Sequence, residues 1–200
     1  MGKIEIILKK INKVGRMRVN IFLLIALIIL IAILGCYRIV PFLTEGRSYY
    51  FKHTDSIDLS NESFGQVRLN DNIKNQSFIK RFGKPLSMED NDLYDYYHWE
   101  GGLETASINS GKNKGDIIRI IINESDGVKK NTRLKTAKGI EIGSTKREII
   151  ALYGSSYYKR SEQGVDIIGY VDHKYDVTIE FWLIEGDRVG EIRLDYANIN

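Results

Sequence analysis

The sequence predicts an α+β protein: an N-terminal transmembrane helix, then two tandem repeats, each a helix packed on a small antiparallel sheet. Three observations predict this. The 19 residues from Val19 to Tyr37 contain no charged side chain. Beyond Gly65, a pattern of short strand, helix and three strands occurs twice. Segments such as Val177-Thr178-Ile179-Glu180-Phe181-Trp182 alternate as a strand does.

The chain opens with a basic tail, residues 1–18, holding Lys3, Lys9, Lys10, Lys13, Arg16 and Arg18 against Glu5. The apolar run, residues 19–37, follows. A helix of that length rises roughly 28 Å, close to the thickness of bilayer hydrocarbon. Basic residues stay on the cytoplasmic side, so the tail is expected inside and the C-terminal part outside. Residues 1–40 hold seven basic side chains and one acidic one, which leaves 22 basic and 25 acidic residues beyond them. The basic balance of the chain therefore belongs to the tail, where it suits anionic lipid. The remainder is slightly acidic, which argues against nucleic acid as a partner.

Cys36 is the only cysteine. It follows Ala32-Ile33-Leu34-Gly35, which is similar to a bacterial lipobox, so lipidation at Cys36 is one reading. Leu34 is bulky where a small residue is usual, and Tyr37 and Arg38 are unlike the usual followers. An uncleaved single-pass anchor is therefore preferred over a lipoprotein, and both over a cleaved signal. Every one of these readings places the C-terminal part outside the cytoplasm, at the cell membrane. Without other cysteines, that part must be held by packing rather than by disulfides.

Residues 38–64 read as a stalk: Pro41 ends the helix, and Asp55 to Ser63 is polar without a period. Tyr49, Tyr50 and Phe51 interrupt it, suited either to a lipid interface or to packing on the domain. The exterior domain, residues 65–200, divides into repeats at 65–125 and 137–200. A shift of 71 residues places Phe78, Ile79, Phe82 and Gly83 on Ile149, Ile150, Tyr153 and Gly154. The three apolar positions make one helical stripe, and each glycine can end its helix. Thr145 and Glu148 have capping-box spacing. The strand segments expected are 93–99, 104–109 and 116–123 in the first repeat, and 165–171, 177–183 and 188–196 in the second.

These residues carry a resemblance. Ile140-Glu141-Ile142-Gly143, then Ile149-Ile150 and Tyr153-Gly154, then three hairpin strands, done twice, resembles the β-lactamase-inhibitor-like superfamily. That group includes small outer-membrane assembly lipoproteins. The chain also resembles uncharacterised anchored proteins of low-GC Gram-positive bacteria. The resemblance covers residues 65–200 and lies in scaffold positions, so it carries over no functional residue. It implies a binding module whose free sheet face docks another protein. Asn70 stands in the first repeat where the second has Gly143.

Chemistry-bearing motifs are sparse. His53, His98 and His173 have no metal-ligand spacing, and no serine sits in Gly-x-Ser-x-Gly. Glu89, Asp90, Asp92 and Asp95 lack the glycine and distal glutamate of a calcium loop and read as a solvated loop. No catalytic residue, metal ligand or cofactor is assigned. Tyr and Trp are favoured interface anchors, and Tyr97, Trp99, Tyr170 and Trp182 are the residues expected to form a binding face. The preferred function is a membrane-anchored, extracytoplasmic, non-enzymatic module that meets an envelope protein or other envelope component. The alternative is a hydrolase of envelope polymers with carboxylates that the sequence does not pair. What separates the two is whether the fold brings two acids, or His98 or His173 with an acid, into one deep pocket. A third reading, a sensor signalling through the short tail, leaves only tail-mediated contacts.

Overall fold

The computed structural model describes residue 25 and residues 27–32, 46–123 and 134–197. The chain forms two units, residues 1–49 and residues 50–200. The first is represented by Ile25 and residues 27–32, which are helical and exposed, and by the start of helix α1 (Arg47–His53), which crosses the boundary. The predicted membrane-spanning helix is not supported. Among the described residues no helix is long and apolar enough to cross a membrane. The rest of the apolar run, with Cys36, and the tail at 1–18 lie outside the described residues.

The second unit is built on one antiparallel sheet. After α2 (Gln76–Phe82) come β1 (Ser87–Glu89), β2 (Tyr94–Trp99), β3 (Leu103–Ile108) and β4 (Ile117–Asn123). After α3 (Lys146–Tyr153) come β5 (Tyr158–Glu162), β6 (Val165–Asp172), β7 (Val177–Ile184) and β8 (Arg188–Tyr196). The eight strands pair in the order β1-β2-β3-β4-β8-β7-β6-β5. The expectation of two repeats, each with its own small sheet under a helix, is thereby corrected: the last strands of the two halves pair with each other, Ile120 opposite Leu194 and Ile122 opposite Ile192. The physical reason lies in β4. Its run Ile117-Ile118-Arg119-Ile120-Ile121-Ile122 is apolar toward both faces, and five of these six residues are buried. Such a strand suits the middle of a sheet rather than its edge. The β1 strand was missed altogether in the sequence, being only three residues long.

One face of the sheet carries the core. Phe78 of α2 and Ile149 and Tyr153 of α3 meet Trp99, Leu103, Ile120, Tyr170, Ile179, Phe181 and Leu194 there. The helices end as their glycines require: Gly83 and Gly154 have φ of 70° and 91°. Thr145 and Glu148 form the expected capping box, which holds the Glu148 carboxyl below its usual range through the Thr145 N–H and hydroxyl. Replacing Thr145 by Ala should cost about 1 kcal/mol in urea unfolding. Because the Glu148 carboxyl is lowered in the fold, that part of the stability is present at neutral pH and fades as acid protonates it.

Asn70 takes φ of 67° where Gly143 has 89°, and the two backbone N–H groups donate to Ile117 and Val189 in corresponding places. Asparagine is among the few side chains that accept the left-handed region readily, so the missing glycine leaves the turn intact.

The stalk expected at 38–64 is, in its described part, woven into the second unit. Ser56 pairs with Val171 and the Ile57 N–H donates to the Val171 carbonyl at 2.8 Å. Leu59 and Phe64 are core residues. The buried Asp172 carboxylate accepts from the Leu59, Lys174 and Tyr175 N–H groups, which fixes the segment to the β6–β7 turn. Tyr50 stacks on Tyr158 at 5.1 Å and Phe51 meets the His173 ring edge-on at 4.9 Å, so these two aromatics pack on the domain.

Candidate functional site

The opposite face of the sheet is polar, and its charges are tied to one another. Arg160 donates from Nε and Nη2 to the two oxygens of Glu180, both at 2.9 Å, and Tyr158 donates its hydroxyl to the same carboxylate at 2.5 Å. Glu162 also accepts from Arg160. Burial alone would lower the Arg160 guanidinium; the two glutamates outweigh it and keep it charged. One row further along, Arg119 donates to Asp195 at 2.9 Å and to the Tyr96 hydroxyl at 3.1 Å, and Thr178 donates to Asp195 at 2.8 Å. Glu180 and Asp195 are fully buried, which such charges tolerate only when paired and hydrogen-bonded.

Gly169 makes room for this network. Tyr158 lies across it, and a Cβ at residue 169 would meet the Tyr158 ring at 2.0 Å. Gly169→Ala should displace Tyr158 from Glu180 and cost about 1–3 kcal/mol of stability, read by thermal unfolding.

At the β1–β2 end the sheet is more open. On the polar face His98 lies between two acids, with Nδ1 at 3.2 Å from Glu104 and Nε2 at 3.5 Å from Glu89. Burial pushes the Glu104 carboxyl up, as do Glu191 and Glu89, against the pull of His98 and Arg193. This is the juxtaposition of histidine and acid that an enzyme would need. It sits on a half-exposed strand surface, and His98 lines neither of the two cavities described, at Asn72–Phe78–Arg81 and at Leu59–Val177–Tyr196. Among the described residues no group of three or more His, Cys, Asp or Glu could hold a metal ion.

The other face of the same end is apolar. Met88 pairs with Tyr97, so both point to the side bearing α2. Tyr97 packs on Trp99 at 5.9 Å, and Phe82 of α2 lies 6.5 Å from Trp99. Beyond this cluster, Leu86 is 68% exposed, Met88 48% and Ile79 47%. Beside them, among the described residues, β1 is the last strand of the sheet, with Leu93 exposed in the loop that follows.

The four aromatics expected to share a binding face are placed differently. Trp99 and Tyr170 are core residues, and the Trp99 indole donates to Thr105 at 3.0 Å. Burial raises the Tyr170 hydroxyl, which donates to the Gly154 carbonyl. Tyr97 is half-buried at the rim of the open end. Trp182 is on the polar face, under Arg193 at 3.9 Å and Arg160 at 5.5 Å, and its indole N–H has no acceptor among the described residues. Strand parity separates them: residues 97, 99 and 170 point to the core and 182 points away. Cys36 lies outside the described residues. The residues missed were Leu86 and Met88; their signal was two apolar side chains at alternate positions, Leu86 and Met88, just after the Pro85 stop.

No family profile matches the chain, and no curated protein matches it. Among solved structures, a DUF4309 family protein, YjgB, from Bacillus subtilis aligns over 75% of this chain and 92% of its own, with 16% identity and a TM-score of 0.41. That neighbour comes from a low-GC Gram-positive bacterium. At this identity and score the likeness supports no functional argument.

Proposed function

We propose that the protein is a non-enzymatic binding module of the cell envelope, which takes an extended segment of another envelope protein along the outer edge of β1. One observation carries the reading: β1, the last strand of the sheet among the described residues, bears exposed Met88 next to exposed Leu86, beside half-buried Tyr97 and Phe82. An added strand would gain main-chain hydrogen bonds from the edge, and its alternate side chains would cover the apolar patch. The polar face supports the same reading, since its acids and arginines are engaged with one another in ion pairs. A place at the membrane, outside the cytoplasm, belongs to the proposal on the composition of residues 1–37, as does the finer assignment to the β-lactamase-inhibitor-like superfamily.

The test is a photoreactive amino acid at residue 88 of the full chain in intact cells, with residue 112, an exposed turn, as control. A discrete crosslinked protein is expected from residue 88 alone and should be lost in Leu86→Asp. Equal labelling from both positions, or labelling indifferent to Leu86→Asp, would reject the proposal.

A further inference from the structure

A cavity of about 330 Å³ opens where the 59–70 segment meets the ends of β7 and β8, away from the β1 edge. Its floor is apolar: Leu59, Val177 and Leu194 are all buried. Tyr196 and the exposed Tyr175 make its aromatic walls. Arg68 stands at the mouth, exposed, and its guanidinium has no ion-pair partner among the described residues. Sites for small ligands take this form: a concave apolar surface of some 300 Å³ or more with one or two placed polar groups.

Besides the tyrosines, three other polar side chains line the cavity: Ser60, Glu62 and Asn70. The buried Glu62 carboxylate accepts from the Tyr153 hydroxyl at 2.8 Å and from the Ala137 and Ser63 N–H groups at 2.7 and 3.2 Å. With three donors on it, Glu62 ties the helix α3 side to the segment rather than waiting for a cation. Asn70 and Tyr196 share the lining, and neither carries a charge. The single charge still open to a ligand is therefore positive, and it sits above an apolar floor.

We infer that this cavity binds an apolar α-carboxylate, the carboxylate on Arg68 and the aliphatic side chain on Leu59, Val177 and Leu194. A guanidinium pairs with a planar carboxylate through two parallel hydrogen bonds, and Tyr175 and Tyr196 flank the side chain without competing for the charge. The same chemistry is offered by a peptide C-terminus and by a free acylated amino acid.

Equilibrium dialysis on the full chain in mild detergent tests this, with N-acetyl-L-leucine, the tripeptide Ala-Ala-Leu and N-acetyl-L-leucinamide as probes. Binding of at least one acid is expected, with the amide weaker by about tenfold or more, the value of a charge-assisted pair. Arg68→Gln, an exposed change that leaves the core alone, should abolish the preference for acid over amide. Tyr175→Ala should weaken both acids with the preference kept. Tighter binding of the tripeptide would identify a peptide C-terminus, and tighter binding of N-acetyl-L-leucine a free acylated amino acid. No binding of either acid, equal binding of acid and amide, or indifference to Arg68→Gln would overturn the inference. Crosslinking from residue 88 is independent of all these outcomes, so this site and the β1 edge stand or fall separately.

Discussion

Phe64→Ala should lower the unfolding free energy by about 3–5 kcal/mol, the cost of emptying a ring-sized site in a packed core. Phe64 has no exposed surface and belongs to the main cluster, although it lies in a segment that reads as a stalk. Its backbone is bound on two sides as well: its N–H donates to Val67, and it bridges to Thr136. Relaxation of the cavity is therefore restricted, which favours the upper part of that range. A true stalk residue would cost under about 0.5 kcal/mol. Urea unfolding of the full chain in mild detergent, wild type against Phe64→Ala, separates the two, and the midpoint should fall with an unchanged slope.

The second large effect is expected at Arg160. Arg160→Met keeps the aliphatic stem but removes the guanidinium that grips Glu180 and lies over Trp182. Glu180 would keep its Tyr158 hydrogen bond while losing the Arg160 charge at a site with no exposed surface. Breaking a buried pair from one side costs about 3–5 kcal/mol, because the remaining charge stays desolvated. Removing both charges, Arg160→Met with Glu180→Leu, should recover much of the loss, since an apolar pair of similar volume suits the same place. A double-mutant cycle by chemical unfolding gives the coupling. A double variant as unstable as the sum of its singles would mean that the network is not held by this pair.

Local features were legible because they rest on local chemistry. The apolar stripes and terminal glycines placed α2 and α3, the Thr145–Glu148 spacing gave a real capping box, and alternation found β7 and β8. The joining of the halves was harder, since alternation says which face a residue takes but not which strand lies beside it. The run of isoleucines in β4 did hold that information: a strand apolar on both faces belongs inside a sheet.

Residues 55–63 misled for a different reason. Polar side chains usually mark solvated linkers, yet here Asp58 accepts from the Ser60 N–H, and Glu62 takes three donors that fix a packed turn. The binding face failed on parity. Tyr97, Trp99 and Tyr170 were grouped with Trp182 by residue type, whereas strand register divides them between two faces. Leu86 and Met88 escaped notice because a three-residue strand carries too little alternation to stand out.

The single sheet is what places both the β1 edge and the Arg68 cavity, and amide hydrogen exchange tests it most directly. In one eight-stranded sheet β4 and β8 are central, so the amides of Ile120, Ile122, Ile192 and Leu194 should exchange slowest, all through the same global opening. Two separate four-stranded halves would leave β4 and β8 as edges. Fast exchange at every second amide of these strands, with protection confined to β2–β3 and β6–β7, would contradict the account.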